Sequence, residues 1–411
     1  MRISSLDIFN IANQSMQKSN QDLIKTQQQL ATGERVVSPS DDPVAAIQML
    51  ALNGELSRIE QYNKNIDMAE NSLQQQEGLL DGVLDIMARV RELAIQAGNT
   101  AVNTRSEYAA MATEIEARLE ELINITNAKN AAGEFIFAGF KTDTQPFTGD
   151  ADSGFVYHGD DGARRVKTGN NSAVSISISG RDIFQDIPSV NNTANAYTSS
   201  SNQSDIAVSV AQITNQVAYD DFYPEDMVIK FNSPSEYSPP RTNFSVYERS
   251  TGNVIVDKAS YFAGEDIEVN GVTIKISGTP TEGDVVQIDS SNRQDILQTL
   301  ATLAKAMRNV EDTAEGKASL GETVAATLGN LDNAQTNVLK AFSSLGAWQN
   351  SLQTTRELHL DASLFAQEVL SDLKNLDYAE ASTRLSMQTM ILEAAQASFI
   401  RVSQLSLFNR L

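Results

Sequence analysis

YAEASTRLSMQTMILEAAQASFIRVSQLSLFNRL, residues 378–411, is the stretch whose reading decides the fold. Met387, Ile391, Ala394, Ser398, Val402 and Leu405 follow one another at steps of three and four. That spacing draws a narrow apolar-or-small stripe along one helix, the seam of a coiled coil rather than the broad face of a globular helix. The first 30 residues carry a matching stripe: Phe9, Met16, Leu23 and Leu30 recur at sevens, with Ala12, Ser19 and Thr26 between them. Two lone seams at opposite ends of a 411-residue chain predict that the ends pair with each other. Each seam is thin, and isolated helices are marginal in water, so the pair is expected to need further partners. Phe9, Met16, Leu23, Leu30, Ile391, Val402, Leu405 and Phe408 are the candidate partner-contact residues.

Working inward from the N-terminus, one helix is expected over residues 4–30, stopping near Ala31-Thr32-Gly33 with Gly33 as its left-handed terminator. Pro39 and Pro43 hold the next segment extended, because each disfavours helix in the residue before it. Asp42 suits an N-cap and Pro43 a first helical position, with Asp41 adding favourable charge. Pro39, Asp41, Asp42 and Pro43 thus mark one joint, and Asp377 in Asn375-Leu376-Asp377 marks its counterpart before the terminal helix. Between the joints lie very long helices. Ala45, Leu52, Ile59, Ile66, Leu73, Leu80, Met87 and Ala94 are spaced by sevens, and a helix over 43–97 would run roughly 80 Å at 1.5 Å per residue. Such a body is expected to be rod-like, with Gly78 and Gly82 as weak spots. Thr104 and Glu107 form a capping box that opens a second helix, expected to fold back antiparallel on the first. On the C-terminal side a short helix is expected from Ser291 and a long one over about 320–376. The long one carries Leu345, Leu352, His359, Ala366 and Leu373 on its seam.

The period changes at Gly133. Residues 139–290 read as short β-rich runs, among them Val228–Phe231 and Phe244–Tyr247, and Asn270-Gly271 is a strong two-residue hairpin signal. Ser189–Asp205 is low-complexity Ser/Asn/Thr and reads as a linker between two small β units, 139–188 and 206–290. The fold class that follows is mainly α with an inserted β region: a nested antiparallel long-helix bundle, a coiled-coil pair of both termini and an outer all-β domain. The expected domains are a terminal assembly domain (1–42 and 377–411), a helical rod (43–138 and 291–376) and the β-rich domain (139–290).

Composition limits function. The net charge of −22 argues against nucleic acid or an anionic membrane as partner. It is unevenly placed: residues 136–295 carry −11, while 1–40 and 374–411 each carry +1. With no Cys, a disulfide, a Cys-bound metal and a thiol nucleophile are excluded. No apolar run approaches the length of a membrane span, and the N-terminus has neither an apolar signal core nor a cleavage site. Phosphate-loop, dinucleotide, nucleophile-elbow and zinc-protease motifs are all missing. Of the two histidines, His359 falls on the bundle seam and is expected to be packed there. His158 precedes Gly159-Asp160-Asp161-Gly162, a turn. Asp150, Asp152 and Gly154 miss the calcium-loop spacing. No enzyme, cofactor or metal is expected.

Several stretches now form a set: Leu30-Ala31-Thr32-Gly33-Glu34-Arg35-Val36, Pro39-Ser40-Asp41-Asp42-Pro43-Val44-Ala45-Ala46, Arg89–Ala97 (RVRELAIQA), Gly133–Gly139 (GEFIFAG) and Asp377-Tyr378-Ala379-Glu380. The chain resembles the bacterial flagellin superfamily, and within it the branch at the hook–filament junction. Flagellin itself is similar but usually lacks the two prolines. The likeness is specific over about 1–140 and 290–411 and loose in the β insert. It implies a terminal coiled coil facing the axis of a hollow tube, a rod outside it and an outward β domain. It also implies export, unfolded, through the flagellar type III apparatus without a cleaved signal, with a cytoplasmic chaperone on the C-terminal helix. The chain would then assemble outside the cell as a ring of copies, with a hook-associated protein on the hook side and flagellin on the filament side. A bulk filament subunit is the competing reading.

Overall fold

The computed structural model describes residues 5–99, 102–151, 153–236 and 238–408, with the side chains of 5, 6, 8, 9 and 402–408 outside the description. Seven helices are described: α1 (Ser5–Thr32), α2 (Pro43–Ala97), α3 (Arg105–Thr126), α4 (Gln216–Phe222), α5 (Ile296–Arg308), α6 (Ala314–Lys374) and α7 (Tyr378–Phe408). The chain divides into two compact units, 1–65 with 353–411 and 66–352, and α2 and α6 contribute to both.

In the unit of both termini, α1 packs along α7, so the outermost elements of the sequence pair as the nested order requires. The other members are the start of α2 and the end of α6. His359 stacks on Tyr62 with ring centroids 5.7 Å apart, and its Nδ1 lies 3.1 Å from Asn63 Oδ1.

The larger unit has two hydrophobic clusters. In the first, Leu73, Leu80 and Val90 of α2, Ile115 and Leu122 of α3, Leu297 and Leu300 of α5, and Leu331 and Leu345 of α6 are all buried together. The capping box at Thr104 is present: the Glu107 carboxylate accepts from Thr104 N at 2.6 Å and from Thr104 Oγ1 at 2.9 Å. α3 lies closest to α5 and is tied to α2 by the Arg89–Glu114 ion pair at 2.6 Å. The supposed weak spots do not interrupt α2. At Gly82 a Cβ would approach Ile125 Cδ1 to 3.1 Å, so the missing side chain makes room for a neighbour.

The second cluster belongs to β structure. A five-stranded antiparallel sheet is built from β5 (Ile187–Thr198), β8 (Met227–Asn232), β9 (Asn243–Glu248), β10 (Val254–Ser260) and β13 (Val285–Gln294), in the order β10-β9-β8-β13-β5. A smaller sheet holds β11 (Asp266–Val269), β12 (Val272–Ser277), β6 (Ala207–Val208) and β7 (Gln212–Ile213). Asn270 and Gly271 take φ of 48° and 76°, as a tight hairpin turn between β11 and β12 demands. Ile229, Phe231, Val246, Ile276 and Val286 fill the space between.

Four expectations need correcting. The supposed linker Ser189–Asp205 is largely strand: β5 pairs with β13 over most of its length, and Ala194 is buried. Small polar residues hid it because pairing rests on backbone groups that composition does not reveal. The region 139–188 is not a separate β unit. Its hairpins β1 (Phe147–Asp150) with β2 (Gly154–Tyr157) and β3 (Arg165–Lys167) with β4 (Ala173–Ser175) bury Phe147, Phe155, Tyr157 and Val174 in the helical cluster. Helix returns at Ile296, after Asp295, rather than at Ser291, because β13 continues to Gln294; α6 begins at Ala314, earlier than expected.

Candidate functional site

The unit of the two termini holds the structure's candidate site, a contact surface. Its foundation is the pair of helix breaks. After α1, Gly33 turns left-handed at φ +74°, and a Cβ there would stand 2.8 Å from Tyr378 Oη. The chain leaving Gly33 then meets the break between α6 and α7. Arg35 N donates to Lys374 O at 2.7 Å and Leu376 N to Gly33 O at 3.0 Å, bridging Glu34 and Asn375 antiparallel. The Gln29 side chain, buried, donates to Arg35 O at 2.6 Å, and Lys374 pairs with Glu34 at 3.0 Å. The two breaks are one clasp.

The joint residues serve this clasp in different ways. Asp42 Oδ1 accepts from Ala45 N at 3.0 Å and starts α2, with Pro43 at its first position. Asp377 Oδ1 accepts from Ala379 N and Glu380 N and starts α7. Asp41 bridges back to α1: it accepts from Lys25 Nζ at 2.8 Å and Ser38 N at 2.9 Å. Lys25 and the Ser38 N–H hold the Asp41 carboxyl below the usual carboxylate range. Pro39 is exposed between these anchors.

The seams divide. On α1, Ala12, Met16, Ser19, Leu23 and Leu30 are half-buried and Thr26 is buried, so the shielded face is the stripe read from the sequence. On α7 it is not. Ala381 is buried and Leu385, Gln388, Leu392, Ala395 and Phe399 are half-buried, again at steps of three and four. Met387, Ile391, Ala394 and Ser398, the expected seam, are exposed, Met387 by 59% and Ile391 by 50%. The helix carries two parallel lines offset by about one residue. The line with Leu385, Leu392 and Phe399 has the larger side chains and takes the shielded place. The side chains of Phe9, Val402, Leu405 and Phe408 lie outside the described residues.

The sequence reading missed further exposed apolar side chains in this unit. Val44, Ile47 and Leu50 are spaced by threes at the start of α2, with Leu50 75% exposed. Leu358, Leu364 and Phe365 stand out on α6, Phe365 by 67%. The three-step spacing of the first set was a usable signal, overshadowed by the seven-step line through Ala45 and Leu52.

Among the described residues no group of three or more His, Cys, Asp or Glu side chains could hold a metal ion, and no helix is long and apolar enough to cross a membrane. His158 Nε2 lies 2.7 Å from Thr148 Oγ1 in an exposed turn. The Gly133–Gly139 stretch is structural: Phe137 is buried edge-on to Phe184, and its carbonyl accepts from Tyr157 Oη at 3.0 Å.

Comparison with known proteins agrees with this picture. Residues 3–142 match the family described as the bacterial flagellin N-terminal helical region, and residues 328–411 match the bacterial flagellin C-terminal helical region. The flagellar hook-associated protein 3 of Salmonella typhimurium is 30% identical over 46% of this chain and 58% of its own length. The chain thus spans about half the length of the curated relatives it matches. The crystal structure of flagellar hook associated protein-3 from Legionella pneumophila superposes with a TM-score of 0.53 and 26% identity, over 79% of this chain and 98% of that one. The flagellar junction protein FlgL, also from Legionella pneumophila, gives 0.50 and 27%, over 79% and 100%.

Proposed function

This chain belongs to the bacterial flagellin family, structural proteins of the flagellum rather than enzymes, and on that premise we propose that it is an adaptor joining the hook to the filament. The carrying observation is the uncovered apolar line on α7. Met387, Met390 and Ile391 are exposed on a helix whose neighbouring line, about one residue round, is already shielded. Single exposed apolar residues are ordinary, but aligned ones mark a contact surface. A tubular lattice of copies supplies neighbours for such a line on every subunit.

In this reading the terminal segments 1–42 and 377–411 form the assembly domain, 43–138 with 291–376 and the hairpins of 139–188 the rod, and the remaining 189–290 the outer part. Met387 and Ile391 contact neighbouring subunits. A hook-associated protein lies on one side of the ring and flagellin on the other. The chain reaches that place unfolded through the flagellar export apparatus, with a chaperone on the α7 segment. Its lack of Cys suits such passage.

The test is a strain lacking the gene. Bare hooks with flagellin shed into the medium are expected, restored by the wild-type chain and not by the Met387→Asp, Ile391→Asp double variant. Normal filaments in the deletion strain would overturn the adaptor role. Long filaments formed by the purified chain alone would point instead to a bulk filament subunit.

A further inference from the structure

Where β13 passes into α5, the chain buries a carboxyl that the assembly reading does not use. Asp295 caps α5 from an extended backbone (φ −101°, ψ 130°). Its Oδ1 accepts from Leu297 N at 2.7 Å and Gln298 N at 3.3 Å. Asp295 as a whole is partly exposed, yet Oδ2 is buried and has no donor. Three residues on, Gln298 Oε1 is likewise buried without a donor. Side chains at the cap and at the third helical position lean toward each other. A carboxylate oxygen shut away from water with no donor is unfavourable, and a proton on it removes the buried charge and supplies a donor for a nearby acceptor.

We propose that Asp295 is a neutral carboxylic acid in the folded chain up to neutral pH, its Oδ2–H donated to Gln298 Oε1. Folding takes that proton from solvent, and no other bond changes. The joint between the β region and α5 is thereby a proton-dependent lock.

The surroundings support this. Gln294 fastens the same joint, donating to Pro188 O at 3.1 Å and Asn330 O at 2.9 Å, while Thr299 Oγ1 donates to Gln294 Oε1 at 2.8 Å. The elements packed on α5 are α3, β2 and the π-turn Arg181–Gln185, and that turn in turn meets β5. Their titratable groups are Arg105, Glu107, Tyr108, Glu114, Glu116, Arg118, Glu120 and Glu121 on α3, Tyr157 on β2, Tyr197 on β5, and Arg181 and Asp182 on the turn. Asp186 and Arg293 pair with each other at 3.4 Å, Arg308 pairs with Glu116, and Asp332 of α6 with Arg91. None of these charges governs Asp295. Burial pushes its carboxyl up to about 7, against the lowering pull of the Gln298 and Leu297 N–H groups. With the folded value raised, the stabilisation is fully present below the ordinary carboxylate range and is lost as pH rises through about 7.

The experiment is an infrared difference spectrum of the full chain, wild type minus Asp295→Asn, at about pH 6, where surface carboxylates are ionised. A protonated-carboxyl stretch is expected in the wild type, fading as pH passes about 7. Gln298→Met removes the acceptor and should move that band while it persists. This second variant decides the matter should Asp295→Asn fail to fold. No protonated-carboxyl band at about pH 6 would overturn the proposal. It would mean an ionised Asp295 satisfied by a rotated Gln298 amide or a bridging water.

Discussion

Single residues decide where the terminal helices stop and start. Gly33 sits at positive φ with Tyr378 Oη where a Cβ would be. Gly33→Ala is therefore expected to cost about 1–2 kcal/mol and to open the 33–42 segment to limited proteolysis. Asp377 satisfies two first-turn N–H groups of α7, so Asp377→Ala should lower the stability of that unit by about 1 kcal/mol, read by thermal unfolding. The Lys25–Asp41 pair makes the clasp pH-sensitive. Because the folded carboxyl lies below its ordinary range, its contribution is present above that range and lost as pH falls through it. Cleavage within 33–42 should thus rise in acid for the wild type, and Lys25→Met should show the faster cleavage at neutral pH already. The joint residues were legible because Pro, Asp and Gly each signal a backbone state directly. That the two joints bond to each other was not, since nothing local links Gly33 to Leu376.

At the scale of elements, periodicity located all the long helices and the Asn270-Gly271 hairpin, because both write their geometry into residue spacing. It failed where two lines coexist. On α7, counting by threes and fours fits Met387–Ile391–Ala394–Ser398 and Leu385–Gln388–Leu392–Ala395–Phe399 alike, and only packing against α1 chooses. It failed again at β5, whose pairing with β13 is carried by backbone groups beneath a Ser/Asn/Thr sequence. The two faces of α7 can be separated. Leu392→Asp should disrupt the helix pair, at about 1–2 kcal/mol for a half-buried leucine, and appear as lost helical signal. Ile391→Asp should leave that signal intact while abolishing incorporation into flagella. Equal effects of both on the isolated chain would mean that the two lines are not distinct.

For the whole molecule, nesting is the organising fact: the first helix pairs with the last, and the β region is enclosed between helical segments. The larger unit encloses its apolar clusters. The unit of the termini keeps Leu50, Phe365, Met387 and Ile391 at its surface, which is the physical reason for regarding the single chain as unfinished. The absence of Cys permits a direct test. Ile391→Cys, the chain's only thiol, is labelled with a maleimide in the purified chain and in isolated flagella that have incorporated it. Rapid labelling of the free chain and protection in flagella are expected; equal reactivity in both would contradict the claim that neighbouring subunits cover this face.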